Sequence, residues 1–333
     1  MQSNRKKLIQ LLANHQYTYI SSQQLARKLN ISQSSIWRYM KGLEEDGYHI
    51  EFESHLGYRI VREPKQVSEN TLIRGLNTKW LGQHIIHRQS VSSTQTLAHR
   101  LAHEGGKHGT VIVADEQTNG KGQMNRRWHS AKNKGIWLSM ILKPSIPPKL
   151  APQLTLLTAT VLADVIIQHT QQKPQIKWPN DVLIQKKKVA GILTEMQAEQ
   201  ERVIYVIVGI GLNVNQTSKD LAEDIQLKAT SLLRETGKTW NIKTFIHQLL
   251  YRFEKSYEMY VKHGFPYIKR KWENYGFKVG QFIRVKTLKE AWYAHFLGIA
   301  EDGALLVKNS SGETEKIYSA EIDWFNTEDD HSP

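Results

Sequence analysis

Four short runs hold the side chains best suited to chemistry. The first is Gln117-Thr118-Asn119-Gly120-Lys121-Gly122-Gln123-Met124-Asn125-Arg126-Arg127-Trp128. Gly120 and Gly122 let backbone N–H groups approach a phosphate or a carboxylate closely. Lys121, Arg126 and Arg127 add positive charge beside them. Taken alone, the run fits an anion-binding loop and a solvated surface loop alike. The second run is Lys177-Trp178-Pro179-Asn180-Asp181, where proline stops a strand and leaves Asn180 and Asp181 at its end. The third is Lys188-Val189-Ala190-Gly191-Ile192-Leu193. Here a lysine abuts an apolar strand, and the small Ala-Gly step leaves room beside it. The fourth is Gly209-Ile210-Gly211-Leu212-Asn213-Val214-Asn215, two glycines at a strand end, a spacing that allows close approach of a ligand to the backbone.

Composition narrows the classes. The chain has 333 residues, enough for two or three domains. It contains no cysteine, which excludes disulfides, thiolate metal sites and cysteine nucleophiles together. Its 45 Lys and Arg against 32 Asp and Glu leave a formal charge of +13, which favours phosphate-bearing partners. No stretch is read as the roughly 18 apolar residues that span a bilayer. The polar start lacks the apolar core of a secretory signal. A cytoplasmic chain with no membrane partner is expected.

The elements that must position these runs fall into three parts. Residues 1–63 read as a compact head. Leu8, Ile9, Leu11 and Leu12 recur at helix spacing. Ser21 or Ser22 caps a second helix carrying Leu25, Ala26 and Leu29, and Asn30 leaves it in a left-handed conformation. Ser32 caps a third helix that buries Ile36, Met40 and Leu43, and Gly47 stops it. Strands around Ile50–Glu53 and Tyr58–Val61 form a hairpin. Three helices and a hairpin are the winged helix-turn-helix pattern. Gln33, Ser34 and Ser35 on the third helix can address base edges, while Arg38, Lys41 and the wing residue Arg59 can hold phosphates. A small helical domain for protein contacts is the competing reading.

Residues 64–79 read as a polar linker with a short helical segment near Glu69–Gly75. From 80 to 270 strands and helices mix. Strands are expected over His84–Val91, Thr110–Asp115, Gly135–Leu142, Gln175–Lys177, Asp181–Gln185, Lys188–Met196 and Val203–Asn213. Helices are expected from Ser93 or Thr94 to His103, over Pro152–Gln168 and over Ile242–Val261. A long polar loop is expected over Glu116–Ser130. Residues 271–326 turn to short strands with Asp302-Gly303 and Ser310-Ser311-Gly312 as turn signals, and 327–333 are a tail.

The order and spacing of the four runs, with the winged head and the β-rich end, resemble the bifunctional biotin–protein ligase and biotin repressor family over essentially the whole chain. That resemblance implies an α+β multidomain fold: a winged helix-turn-helix, a mixed-sheet biotin/lipoate-ligase-like catalytic domain and a C-terminal SH3-like β-barrel. It implies that Ser93, Thr94, Gln95, Gln117, Lys121, Gly122, Gln123 and Lys188 contact biotin. Gly120, Lys121, Arg126, Arg127, Trp128 and Asn213 would lie on the ATP and adenylate side, and Lys188, Asn180 and Asp181 near the reacting centre. The implied chemistry has two steps. Biotin's carboxylate attacks the α-phosphate of Mg-ATP, pyrophosphate leaves, and biotinyl-5′-AMP stays bound. A lysine amine of a biotin carboxyl carrier protein domain then attacks the mixed anhydride, giving an amide and AMP. Magnesium enters with ATP, and no tightly bound cofactor is expected. The adenylate is also the corepressor. By ordering the loop it would favour a homodimer that binds operator DNA and represses biotin synthesis and transport genes.

The resemblance breaks at one place. The family loop reads Gly-Arg-Gly-Arg, and here it reads Gly120-Lys121-Gly122-Gln123. Lysine loses the planar fork of arginine, and glutamine loses the charge. A looser hold on the adenylate is the expectation. Three rival readings are a lipoate or octanoate transferase, disfavoured by the missing cysteine, a ligand-sensing repressor with weakened or no ligase activity, and a ligase whose head no longer reads DNA, against which the caps and Arg38 and Lys41 argue.

Overall fold

The computed structural model describes residues 4–325 apart from 14, 16, 17, 46, 63, 65, 66, 288 and 289. The predicted tail 327–333 and part of the predicted linker therefore lie outside the described residues.

In the head, α1 (Asn4–Ala13), α2 (Ser22–Leu29) and α3 (Gln33–Glu45) precede the antiparallel hairpin β1 (His49–Glu53) and β2 (Gly57–Arg62). Ser21 caps α2: its side chain accepts from Gln24 N at 3.2 Å, and Gln24 returns to the Ser21 amide at 3.3 Å. This reciprocal pair satisfies two of the helix's orphan donors. Asn30 ends α2 with φ 54°, and Ser32 accepts from the Ser35 amide at 3.2 Å to start α3. The inward faces of these elements, including Leu8, Leu25, Ile36, Leu43 and Ile60, close one small core. Gly57 is required where it stands. Its φ is +105°, and a Cβ there would meet the Ile20 carbonyl oxygen at 2.2 Å.

The linker reading needs correction in its second half. Ser68 caps a short α4 (Glu69–Ile73), and Leu72 is fully buried in the core of the following domain. Glu254, itself fully buried, accepts the backbone amides of Lys79, Trp80 and Leu81 at 2.8, 2.8 and 2.9 Å. The segment reads as linker because its few apolar residues are set among polar ones, and its anchor lies 173 positions or more away.

The central domain is a sheet in the order β3 (His84–Val91), β4 (Thr110–Lys121), β6 (Gly135–Leu142), β10 (Arg202–Asn213), β9 (Lys187–Glu199), β8 (Asp181–Ile184) and β7 (Gln175–Lys177), with β5 (Arg127–Ser130) paired to β4. Only β3 and β4 run parallel; the other pairs are antiparallel. On one face α5 (Thr94–His103) covers Ile112, Ile141 and Ile207. On the other, α6 (Pro152–Thr170), α7 (Leu232–Thr236), α8 (Ile242–His263) and α9 (Pro266–Tyr275) contribute to the main core. By length and composition the stretch Pro148–Thr170 could cross a membrane, contrary to the sequence expectation. It is a core helix: Leu154, Leu157, Val161, Leu162 and Ile166 of α6 are fully buried within the protein.

The expected loop over 116–130 is also corrected. β4 runs on to Lys121, and β5 folds back on it with Gln117 opposite Ser130, Gly120 opposite Trp128 and Lys121 opposite Arg127. Polar residues on both strands and a register shift between Gln117 and Gly120 hide the alternation that would mark a hairpin.

The C-terminal unit begins later than 271. Residues 271–275 finish α9, whose Ile268 and Trp272 are fully buried. The unit is a five-stranded antiparallel sheet of β11 (Phe282–Lys286), β12 (Ala291–Ile299), β13 (Leu305–Lys308), β14 (Thr314–Ile317) and β15 (Glu321–Asp323), in the order β14-β13-β12-β11-β15. Inward Ile283, Val285, Phe296, Leu305 and Val307 join the main core. Gln153 at the start of α6 donates to the Glu301 carbonyl at 2.5 Å, and Trp178 Nε1 donates to the Gly303 carbonyl at 3.2 Å. The barrel therefore bonds directly to the Lys-Trp-Pro-Asn-Asp run.

Candidate active site

The four sequence runs converge on one cleft of about 240 Å³. Ser93, Thr94, Gln95, Gln117, Lys121, Gly122, Gln123, Arg126, Arg127, Trp128, Asn180, Asp181, Lys188 and Asn213 all line it. Gly120 does not. It lies buried at the β4–β5 crossing, where a Cβ would meet the Trp128 carbonyl oxygen at 2.5 Å. Its role is to let the two strands close.

One end of the cleft is a chain of polar side chains. Ser93 caps α5 and is buried. Gln117 Oε1 accepts from the Thr94 amide at 2.8 Å and the Thr94 hydroxyl at 3.0 Å, while Gln117 Nε2 donates to Ser130 Oγ at 2.8 Å. Ser139 Oγ lies 2.9 Å from Thr94 Oγ1 and donates to Gln95 Oε1 at 3.1 Å. Gln95 Nε2 donates to Glu195 at 2.8 Å, and His99 Nε2 lies 3.1 Å from the same carboxylate oxygen. The His99 hydrogen bond leads in holding the Glu195 carboxyl below its usual range; burial opposes it, and Gln95 adds to the lowering. Such a chain fixes which atoms face inward as donors and which as acceptors.

The other end is cationic. Asp181 sits between two lysines, with Lys188 Nζ 2.6 Å from one oxygen and Lys177 Nζ 3.1 Å from the other. The Lys188 ammonium also lies 5.1 Å from the Trp128 ring centroid. Asn180 donates to the Ile192 carbonyl at 2.8 Å, and Asn213 donates to the Thr230 carbonyl at 3.0 Å. The first amide ties the turn before β8 to β9, and the second ties the end of β10 to the segment before α7. Above them the turn of the β4–β5 hairpin, closed by Gly122 N to the Arg126 carbonyl at 2.7 Å, carries Lys121, Gln123 and Arg126 exposed at the rim.

The glycine pairs have a different use from the one their spacing suggests. A Cβ on Gly211 would meet Trp128 at 2.3 Å, and one on Gly191 would meet it at 2.8 Å. A Cβ on Gly209 would meet Gln95 Oε1 at 2.5 Å. These glycines seat two side chains of the site against the sheet.

Profiles of known families match all three parts of the chain. The Biotin/lipoate A/B protein ligase family covers residues 87–213, the HTH domain covers 4–59, and the Biotin protein ligase C terminal domain covers 279–324. The bifunctional ligase/repressor BirA of Bacillus subtilis (strain 168) is 42% identical over 319 residues, 96% of this chain and 98% of that one. This chain belongs to the bifunctional biotin ligase and repressor family. The BirA protein of Escherichia coli (strain K12) is 26% identical over 91% of each chain. A biotin protein ligase from Aquifex aeolicus, solved in complex with biotin and ATP, matches with TM-score 0.63 and 30% identity, covering 72% of this chain and 98% of that one.

This ligase/repressor has cleft residues that sequence reasoning passed over. Ser139 is the hinge of the polar chain, yet it is one serine in an apolar strand. Leu221, Ile225, Lys228 and Ala229 close one side of the cleft. Their segment is tied to Lys188 by backbone bonds from Lys188 N to the Lys228 carbonyl at 2.8 Å and from Thr230 N to the Lys188 carbonyl at 2.9 Å. An irregular polar stretch of this kind carries no period to read.

In the head, α3 leaves Gln33, Ser34, Arg38 and Lys41 exposed, whereas Ser35 is half-buried and bonded to Ser32. Arg59 is less available than expected. Its guanidinium pairs with Glu51 at 2.5 Å and lies 4.7 Å from the Tyr19 ring centroid.

Proposed function

We propose that the cleft binds biotin with its polar ring system at the Thr94–Gln95–Gln117 end and its carboxylate toward Lys188, with ATP entering beneath the β4–β5 turn. The observation that carries this orientation is the separation of the two ends: at one, the side chains lining the cleft (Thr94, Gln95, Gln117 and Ser139) are uncharged donors and acceptors, and at the other a lysine is held by Asp181. Biotin's carboxylate attacks the α-phosphate of Mg-ATP, pyrophosphate departs, and biotinyl-5′-AMP forms. Two anions meet in this step, and Lys188 offsets their repulsion as charge develops. Asp181 is a positioning residue that keeps the ammonium aimed at the cleft. Asn180 and Asn213 hold the walls, and Lys121, Arg126 and Arg127 attract the phosphate side. Magnesium comes as part of the nucleotide substrate. A lysine amine of a biotin carboxyl carrier protein then takes the biotinyl group and AMP leaves. The head binds operator DNA as a homodimer favoured by the adenylate, in the cytoplasm.

The deciding experiment follows labelled biotin into a carrier domain in the presence of Mg-ATP, comparing the wild type with Lys188→Ala. Transfer by the wild type and its loss in the variant support the reading. Biotin binding without transfer by the wild type would leave a ligand-sensing repressor, with Lys121 and Gln123 as the altered positions to blame.

A further inference from the structure

The chain has nine tryptophans. Eight are buried or half-buried, and Trp37 is 57% exposed. It lies in the N-terminal half of α3, the helix that a winged head presents to DNA. Helix geometry puts Gln33 one turn before it and Lys41 one turn after it on the same face. Lys41 Nζ lies 5.5 Å from the Trp37 ring centroid. The opposite face of α3 is the one that folds the head, through Ile36, Met40 and Leu43. The indole therefore contributes little to the core and lies on the face that the helix offers outward.

Its neighbours identify the partner. The exposed positions around it are Gln33, Ser34, Arg38 and Lys41, an amide, a hydroxyl and two cations. The two cations beside the indole give this face of the helix a charge complementary to the phosphates that flank a DNA groove. In the major groove of DNA the apolar feature at a base edge is the C5-methyl group of thymine. Among the exposed residues of α3, Trp37 is the one large apolar side chain.

We propose that Trp37 is a sequence-determining residue of the head, packing its indole against a thymine methyl in the major groove while Arg38 and Lys41 take flanking phosphates. The proposal rests on the reading of the head as DNA-binding, and names how part of the sequence is chosen. An apolar base contact differs from a phosphate contact in its salt behaviour. Removing it weakens specific binding and leaves the salt slope alone, whereas removing one phosphate contact lowers the slope by about one unit.

The test uses the full chain with biotin and Mg-ATP. A duplex pool of random sequence is selected for binding, and the enriched sequence is then remade with each thymine replaced in turn by deoxyuridine, which lacks only the methyl. We expect Trp37→Ala to bind the enriched duplex about tenfold more weakly, with unchanged binding to random duplex and an unchanged salt slope. One deoxyuridine replacement should weaken the wild type about fourfold, the worth of one buried methyl, and leave the variant unaffected. Biotin transfer by Trp37→Ala should equal that of the wild type, since the residue is exposed on the head and lines no part of the cleft. Equal binding of the enriched duplex by both proteins, or the same deoxyuridine loss in both, overturns the proposal. So does a variant whose defect is weaker self-association without DNA. A wild type that enriches no sequence overturns the DNA reading of the head itself, and the proposal with it.

Discussion

Lys188 Nζ stands 2.6 Å from Asp181 Oδ1, and the two residues come from neighbouring strands joined by a tight turn. The lysine is one-third exposed and the aspartate nearly buried, so the carboxylate is the fixed partner and the ammonium the presented one. Truncating the lysine should remove charge neutralisation at the activation step. We expect Lys188→Ala to lower biotin-dependent ATP–pyrophosphate exchange by about two to three orders of magnitude, the usual loss for one preorganised electrostatic group. Asp181→Asn should keep the lysine but lose its aim, with a smaller fall in kcat and little change in thermal stability. Equal exchange by Lys188→Ala and the wild type would remove the lysine from the mechanism.

Much of this architecture was legible in the residues. Caps, turns and helix periodicity located the head because Ser21, Asn30 and Ser32 perform local bonding that depends on near neighbours. Lys188 and the Trp-Pro-Asn-Asp run could be placed because each sets polar residues directly against an apolar strand, Lys188 as the last of three lysines. What escaped was non-local. Glu254 is one carboxylate on a long helix, and nothing near it in sequence reveals the three amides at 79–81 that it holds. The β4–β5 hairpin stayed hidden because polar residues on both its strands mask the alternation. The spacing of Gly209 and Gly211 suggests room for a ligand beside the backbone, whereas Trp128 and Gln95 of the chain itself fill that space and the space at Gly191, a pairing that sequence alone does not reveal.

That packing makes a prediction about Gly211 and Trp128. A Cβ at position 211 falls 2.3 Å from the indole, a distance no real pair of atoms keeps, so Gly211→Ala must displace the ring. The displaced ring no longer lies beside Lys188. We expect Gly211→Ala and Trp128→Ala each to slow biotin activation by about tenfold or more, and the double variant to be no worse than the poorer single one. Such non-additivity is the signature of residues acting through one contact, with coupling of about 0.5–3 kcal/mol. Fully multiplicative losses would show that the glycine serves something other than the indole.

Glu195 gives the polar end of the cleft a pH dependence. Its carboxyl lies below the ordinary 4.5, chiefly through the His99 hydrogen bond, with burial opposing and Gln95 assisting. A depressed folded value means that the stabilisation is complete above about pH 4.5 and is lost as pH falls through the folded value. The side chain is 41% exposed, so solvent screens the effect to less than about 1 kcal/mol. Melting curves of the wild type and Glu195→Gln should therefore differ modestly at pH 7 and converge in acid. A gap that stays constant from pH 7 to pH 3.5 would mean that the carboxylate charge contributes nothing.

The rim of the cleft predicts how long the adenylate is held. Lys121 and Gln123 stand where relatives with a Gly-Arg-Gly-Arg loop carry two arginines, and both side chains are exposed on the β4–β5 turn. Glutamine brings no charge to a phosphate, and lysine brings charge without the bidentate fork. Gln123→Arg should add one charge-assisted contact at the phosphate side of biotinyl-5′-AMP. Contacts of this kind contribute about 1.5–3 kcal/mol when well formed and less at an exposed rim, so slowing of adenylate release by about threefold to tenfold is expected. Lys121→Arg should act in the same direction with a smaller effect. Release is read by chasing bound labelled adenylate with excess unlabelled biotin and Mg-ATP in the absence of a carrier domain. If Gln123→Arg and the wild type release it at the same rate, the phosphate lies away from this turn, and Arg126 and Arg127 become the residues to test for its retention.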